Sequence, residues 1–232
     1  MSMGDPGLFP DTSWSLVSRL CATGQERYRE GLDDLCRRYW NPAFAYVRAA
    51  WAKSGEEAKD LTQAFFLWLI EDEALRSYLP ERGGFRPFLK TLLRRFVGHQ
   101  AVALDRLKRG GGRTILPLDG RDLPAADETD PEKAFERAWL TEVVDAALRR
   151  VRARREEKGD VLSFRLYDAA DLAPAAPSYA ELAERHGVRE GEVRDRLYAL
   201  REEIRSEVRR ELARLTSDDQ DLEHEWRSFL GA

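Results

Sequence analysis

The sequence predicts an all-α protein made of two small helical domains. Apolar residues recur at helical spacing along the 232 residues, and there is no sustained alternation of the strand type. Charged residues make up 34% of the chain with both signs evenly represented, which is typical of long solvated helices. An acidic, proline-broken segment separates the two helical stretches, and each stretch is long enough to bury a core of its own.

The first predicted domain covers residues 1–109. A helix is expected from about Gln25, broken at Asn41–Pro42 because proline removes an amide donor, and resuming as far as Trp51. The next helix has apolar residues at positions i, i+4, i+7 and i+8, a stripe that predicts one buried face. This stripe consists of Leu61, Phe65, Trp68 and Leu69.

A strongly basic helix is predicted from Phe85 to Arg109. Between residues 82 and 113 there are nine basic residues and a single acid, Asp105, giving a local charge of +8 in a chain whose total is -4. The basic residues are Arg82, Arg86, Lys90, Arg94, Arg95, Arg106, Lys108, Arg109 and Arg113. Such segregation of charge indicates a surface for nucleic acid, because concentrated cations displace the counterions of phosphate.

Residues 110–130 are predicted to form a linker. Three glycines, Gly110 to Gly112, end the basic helix. Residues 114–131 carry five acids against one arginine, a net charge of -4, and are interrupted by prolines and a glycine. A segment of this composition does not form a core.

The second predicted domain covers residues 131–215 and ends in a helix-turn-helix. A long helix from about Pro131 to Lys158 and a shorter one over residues 161–172 come first. Ser178 is suited to cap a short helix that Gly187 ends, and a long helix starts three residues later. A short helix, a glycine turn and a second helix are the helix-turn-helix signature. An acidic tail, residues 216–232, follows.

One side of the second helix of this motif is expected to face DNA. Val193, Leu197 and Leu200 define its buried direction, and arginines flank the opposite side, where they could contact phosphates. The candidate DNA-contacting residues are Arg189, Arg194, Asp195, Arg196, Tyr198 and Arg201. Residues 189–214 contain eight basic and seven acidic side chains, so this module is expected to bind phosphate more weakly than the basic helix.

Catalytic and membrane signatures are absent from the sequence. The three histidines lie far apart, and neither a G-x-S-x-G nor a P-loop motif occurs, so we expect neither an enzyme nor a metal or cofactor. No run approaches the roughly 18 apolar residues of a membrane span, and the first nine residues do not form a signal peptide. We therefore expect a cytoplasmic protein that does not enter a membrane.

Three segments, in this order, resemble bacterial RNA polymerase sigma factors of the extracytoplasmic-function (ECF) type. Residues 60–67, Asp-Leu-Thr-Gln-Ala-Phe-Phe-Leu, are similar to the segment by which the family docks on the largest polymerase subunit. Residues 85–95 are similar to the helix that melts and binds the promoter -10 element, and residues 178–197 to the helix-turn-helix that binds the -35 element. The glycine-rich run after the basic helix and the opening residues 13–17 resemble a planctomycete and myxobacterial subgroup.

The resemblance implies a fold, partners and site residues. The two domains would be a sigma region 2-like bundle and a sigma region 4-like helix-turn-helix domain, with core RNA polymerase and double- and single-stranded promoter DNA as partners. An anti-sigma factor is a further candidate partner. Polymerase docking would fall to Asp60, Leu61, Gln63 and Phe66. Binding of the -10 element would fall to Tyr78, Arg86, Lys90, Arg94, Arg95, Lys108 and Arg109, and binding of the -35 element to the six residues named above.

Two other functional classes remain open at this stage. A helix-turn-helix regulator could act without polymerase, although it would not need the docking segment beginning at Asp60. A degenerate sigma-like adaptor could act through protein contacts, which the acids Asp195 and Glu202 on the DNA-facing side favour and the +8 segment opposes. The acidic tail could be a capping helix or a regulatory segment that shields a basic surface.

Overall fold

The structure, a computed structural model, describes residues 25–51, 54–72, 74–79, 84–107, 130–216 and 219–231. Within these ranges the backbone forms eight α-helices and one 3-10 turn and contains no strand, so the all-α prediction is confirmed. None of the helices in the described ranges is both long and apolar enough to cross a membrane. Residues 108–129 lie outside the described residues. They include Lys108, Arg109 and the predicted linker up to residue 129.

The helices follow one another in a simple order. The first three are α1 (Gln25–Trp51), α2 (Gly55–Glu71) and α3 (Phe85–Leu107), with the 3-10 turn Ala74–Ser77 between α2 and α3. The remaining five are α4 (Pro131–Glu157), α5 (Val161–Asp171), α6 (Tyr179–His186), α7 (Glu190–Ala213) and α8 (Asp219–Gly231).

The chain divides into two compact units whose boundaries differ from the predicted domains. One unit contains the described residues up to Glu142 together with those from Leu212 onward, and the other is Val143–Glu211. We had predicted the second domain to begin at residue 131. The first turns of α4 instead belong to the first unit because Phe135 and Trp139 are buried there, with the Phe135 ring stacked on Tyr39 at 6.4 Å. The tail helix α8 belongs to the first unit as well.

The first unit has a core of aromatic and branched aliphatic side chains. The ring of Phe65 in α2 packs edge-on against that of Phe66, and its centre lies 5.5 Å from the centre of the Phe96 ring in α3. Leucines from several helices complete this core, each contributing about 2 kcal/mol when fully buried. They are Leu35, Leu69, Leu75, Leu89 and Leu93.

Helix α1 runs through Pro42 without a break, so the predicted interruption at Asn41–Pro42 is wrong. A proline inside a helix costs about 3 kcal/mol because its amide donor is missing. Neighbouring residues offset this cost, since Tyr39, Ala43 and Val47 are completely buried in the core of the first unit. The side-chain amide of Asn41 also donates a hydrogen bond to Glu142.

The second unit has a smaller core built around the predicted helix-turn-helix. Leu166 of α5, Leu182 of α6 and Val193 and Leu197 of α7 are fully buried against one another. Asp160 caps α5 by accepting a hydrogen bond from the Ser163 amide at 3.3 Å. The helix-turn-helix elements therefore rest on one continuous apolar cluster, which fixes the orientation of α7 within this unit.

Candidate nucleic-acid interface

Three cations of α3 form a stripe along one side of the helix. Arg86, Lys90 and Arg94 are spaced by four residues, so they lie one above another. We refer to these three residues as the cationic stripe. The structure places it against carboxylates from α4 and α8, all within the first unit.

Arg86 is buried in a set of opposing charges. Its Nε and Nη2 donate to the two carboxylate oxygens of Glu225 at 3.1 and 2.5 Å, and Nη1 forms an ion pair with Glu136. The guanidinium carbon lies 4.2 Å from the centre of the Trp139 ring. Arg86 is 9% exposed and Glu225 4%, and a charge buried to this extent needs such partners because its desolvation is costly.

Lys90 and Arg94 are paired with the first turns of α4. The Lys90 ammonium donates to Glu136 at 2.6 Å and lies 3.3 Å from Glu132, while Arg94 donates to Glu132. Burial works to raise the pKa of Glu132, but hydrogen bonds from Arg94 and Lys90 outweigh it and hold that pKa below its usual value. The bond that Arg94 donates to Glu132, together with one that it donates to the Tyr46 hydroxyl, raises the pKa of Arg94.

Carboxylates therefore cover most of the predicted -10 surface that the structure describes. Arg95, next to the stripe, is the exception, since it is exposed and has no ion pair among the described residues. The sequence contained a signal for part of this arrangement. Glu132 and Glu136 are one helical turn apart and so match the spacing of the cations opposite, whereas nothing local pointed to Glu225.

Tyr78, a candidate for contacting an unstacked base, lies in the core. It is 4% exposed, and its ring is edge-on to Phe85 at 5.3 Å and tilted against Phe88 at 5.1 Å. The ring therefore presents no open face for stacking in this conformation. Lys108 and Arg109, the last two -10 candidates, lie outside the described residues.

The predicted docking residues of α2 are divided between surface and core. Asp60 is exposed, Leu61 and Gln63 are half-buried, and Phe66 is buried with its ring stacked on Trp40 at 5.6 Å. The sequence analysis did not select Leu67 and Ile70, which are 46% and 39% exposed. They lie two and three turns beyond Asp60 on the same side, a helical periodicity that could have identified them.

Local capping signals position the helix-turn-helix. The Ser178 hydroxyl accepts from the Glu181 amide at 3.2 Å, and the Glu181 carboxylate accepts from the Ser178 amide at 2.7 Å, forming a capping box. Gly187 ends α6 with φ of +67°, a left-handed conformation that favours glycine. The next amide, of Val188, donates to Ala183 at 3.0 Å, which closes the helix end.

The outer side of α7 exposes four of the six predicted -35 residues. Arg189, Arg194, Asp195 and Tyr198 are exposed, with Tyr198 reaching 68%, and Arg194 is bonded to Glu190 at 3.1 Å. A tyrosine this exposed on a helix beside two arginines is a suitable contact for a DNA groove. The buried residues Val193, Leu197 and Leu200 lie on the opposite side, as predicted.

The other two predicted -35 residues are engaged inside the second unit. Arg196 donates to Glu192 at 2.9 Å and to Asp160 at 3.0 Å. Arg201 donates to both carboxylate oxygens of Asp171 at 3.1 and 2.8 Å and to the Tyr179 hydroxyl at 3.2 Å. These arginines hold α7 against α5 and α6, so they position the DNA-facing side in this conformation.

The described side chains offer no group of three or more histidines, cysteines or acids arranged to hold a metal ion. Each unit has its own candidate surface, which is the carboxylate-paired stripe of α3 in the first unit and the exposed side of α7 in the second. Comparison of the chain with protein-family models, with curated proteins and with solved structures finds no match.

Proposed function

We propose that this protein is a sigma-type specificity subunit of bacterial RNA polymerase. The observation that carries the proposal is the helix-turn-helix of the second unit, in which α7 exposes Arg189, Arg194 and Tyr198 while its opposite side is buried. A helix face that exposes arginines and a tyrosine can enter the major groove of promoter DNA, where Asp195 on the same face could accept a hydrogen bond from cytosine. In the proposed function, this face contacts the -35 element.

The surface of α2 supports polymerase docking over action as a free-standing regulator. Its exposed side combines the acids Glu56 and Asp60 with the apolar Leu67 and Ile70. Apolar side chains bordered by charge are typical of protein–protein interfaces. A regulator that acts on DNA alone would have no use for this surface.

In the proposed mechanism α3 contacts the melted -10 strand. Arg95 supplies an exposed cation, the side chain of Arg94 is 62% exposed beside it, and Arg86 becomes accessible to phosphate when Glu225 is displaced. Single-strand binding relies on cations along the backbone and on stacking of bases. The alternative function is an adaptor that makes no DNA contacts. In an adaptor, Arg86 would remain paired with Glu225 permanently.

Abortive transcription with purified core polymerase and a promoter library tests the proposal. We expect the protein to stimulate initiation and to enrich promoters with two conserved sequence blocks. Stimulation without enrichment of an upstream block would remove α7 from promoter recognition. No stimulation, together with no binding to core polymerase, would contradict the sigma function altogether.

Variants of α2 test the docking surface separately. Asp60→Arg with Gln63→Ala should abolish co-elution with core polymerase and leave the fold intact, since neither side chain is buried. Glu30→Arg, a charge reversal at an exposed position of α1, is the matched control and should retain binding. Co-elution of the double variant with core polymerase would contradict the docking assignment.

Variants of α3 test strand opening. Arg94→Glu with Arg95→Glu should leave binding to core polymerase unchanged and prevent opening of the -10 region, because both changes place negative charge where phosphate would lie. Permanganate reactivity of unpaired thymines reports opening directly. Normal opening by this variant would exclude these two arginines from the DNA site.

A further inference from the structure

Helix α8 contributes an unusual contact to the first unit. It carries four carboxylates and one arginine, and only Leu222 and Glu225 of its side chains are buried. One of these two attachment points is therefore an ion pair and not an apolar contact. The apolar attachment of α8 consists of Leu222 and the half-buried rings of Trp226 and Phe229, while Leu230 is 62% exposed.

The contact made by Glu225 has the chemistry of a phosphate contact. Its two oxygens accept from Nε and Nη2 of Arg86, the two-pronged geometry that a guanidinium also uses for phosphate oxygens. A buried ion pair adds little net stability, because desolvation of the two charges cancels most of their attraction. The position of Glu225 is therefore better explained by competition with phosphate for Arg86 than by stabilisation of the folded protein.

A second carboxylate of α8 lies at the start of α3. A β-carbon placed on Gly84, the residue before α3, would lie 2.7 Å from Oδ1 of Asp221 and 3.4 Å from its Cγ. Asp221 therefore lies close to the N-terminus of α3, where the helix dipole favours negative charge. Together Asp221 and Glu225 cover the first turn of α3 with two carboxylates that are one helical turn apart.

We propose that α8 is an intramolecular ligand of Arg86, the first residue of the cationic stripe, and competes there with nucleic-acid phosphate, so that single-stranded DNA binds at full affinity only after α8 has been displaced. The inference rests on the proposed function, since it names the regulation of the α3 surface. Displacement of α8 removes Glu225 from Arg86 and takes Asp221 away from the N-terminus of α3. Glu132 and Glu136 keep their place on α4 in both states.

A reversible crosslink tests the proposal in the full-length chain. We would make Gly84→Cys and Asp221→Cys in a background carrying Cys21→Ser and Cys36→Ser, because a β-carbon on Gly84 would lie 3.4 Å from Cγ of Asp221, the position that the sulfur of the second cysteine would take. The probe is a fluorescent 20-nucleotide oligo-dT. We expect the oxidised chain to bind at least about fivefold more weakly than the same chain after reduction, since the crosslink prevents Glu225 from leaving Arg86.

A charge-matched pair of single variants gives a second measurement. Glu225→Gln should bind the oligonucleotide about fivefold more tightly than the parent chain, because an amide competes poorly with phosphate for a guanidinium. Asp219→Asn removes the same charge from an exposed position of α8 and should change binding by less than about twofold. Circular dichroism establishes that both variants are folded.

The outcomes separate this inference from the proposed function. Equal binding by the oxidised and reduced chains, including no binding by either, overturns the inference, as does equal binding by Glu225→Gln and Asp219→Asn. If the reduced chain stimulates the polymerase but the crosslink does not change oligonucleotide binding, the sigma function is supported and the competition between α8 and phosphate is contradicted. A crosslink effect without polymerase stimulation supports the competition and contradicts the sigma function.

Discussion

Arg201 and Asp171 join α7 to α5 through a two-pronged ion pair. Nε and Nη2 of the arginine donate to the two carboxylate oxygens at 3.1 and 2.8 Å, and a third donor reaches the Tyr179 hydroxyl at 3.2 Å. The bonds to Asp171 and Tyr179 raise the pKa of Arg201 above its ordinary value. An arginine that the sequence suggested as a DNA contact therefore holds α7 in place within the second unit.

The first prediction concerns the different roles of Arg201 and Arg194. Arg201→Ala should lower the free energy of unfolding of the second unit by about 1 kcal/mol, a modest value because the pair is partly exposed and screened by solvent. Arg194→Ala should change stability little, since that side chain is mostly exposed, but it should weaken binding to duplex DNA. Urea unfolding and fluorescence anisotropy measure the two effects, and equal losses of stability in both variants would contradict the distinction.

The second prediction concerns the turn between α6 and α7. Gly187→Ala should lower the free energy of unfolding by about 1 kcal/mol, because φ of +67° is unfavourable for a residue with a β-carbon. No atom lies within 4 Å of the added carbon, so the cost is conformational and not steric. Gly187→Asn should recover part of the loss, since asparagine tolerates the left-handed conformation better. Urea unfolding measures both variants, and an Asn variant no more stable than the Ala variant would point to a different cause.

This turn also explains which parts of the structure were predictable. Ser178, Glu181 and Gly187 lie within ten residues of one another, and each acts on the backbone next to it, so their effect can be derived from sequence alone. The same holds for the apolar spacing that places Val193 and Leu197 in the core.

Contacts between distant segments could not be predicted in this way. Glu225 lies 139 positions from Arg86, and an acid on an amphipathic helix has the same local pattern whether it faces solvent or a guanidinium. The predicted break at Pro42 failed for a related reason. Local propensity favoured an interruption, but burial of the flanking residues Tyr39 and Ala43 outweighed the missing hydrogen bond.

The third prediction concerns pH. The pKa of Glu132 is lower in the folded protein than its ordinary value, about 4.3, so its ion pairs stabilise the fold fully above that value. This contribution is lost as the pH falls through the depressed pKa, because the unfolded chain takes up the proton first. Glu132→Gln should therefore be less stable than the parent chain at pH 7, and the difference should shrink towards zero in acid.

Urea unfolding at a series of pH values from 7 to about 3 measures this convergence. Glu30→Gln, at an exposed position of α1, is the matched control and should remain close to the parent chain at neutral pH. A difference for Glu132→Gln that stays constant with pH would show that the variant acts through packing and not through charge.

The fourth prediction concerns the buried charges around Arg86. Arg86→Met should lower the free energy of unfolding of the first unit by about 3–5 kcal/mol, because the buried Glu225 would keep its charge without the guanidinium that compensates it, whereas Glu136 would still pair with Lys90. Adding Glu225→Gln to Arg86→Met should restore about 1 kcal/mol or more of this loss, since one uncompensated charge disappears.

Glu225→Gln alone should cost less than Arg86→Met alone, because Arg86 keeps Glu136 and the ring of Trp139. A double-mutant cycle from urea unfolding gives the coupling energy of the pair, and additive losses would mean that Arg86 and Glu225 do not interact in solution.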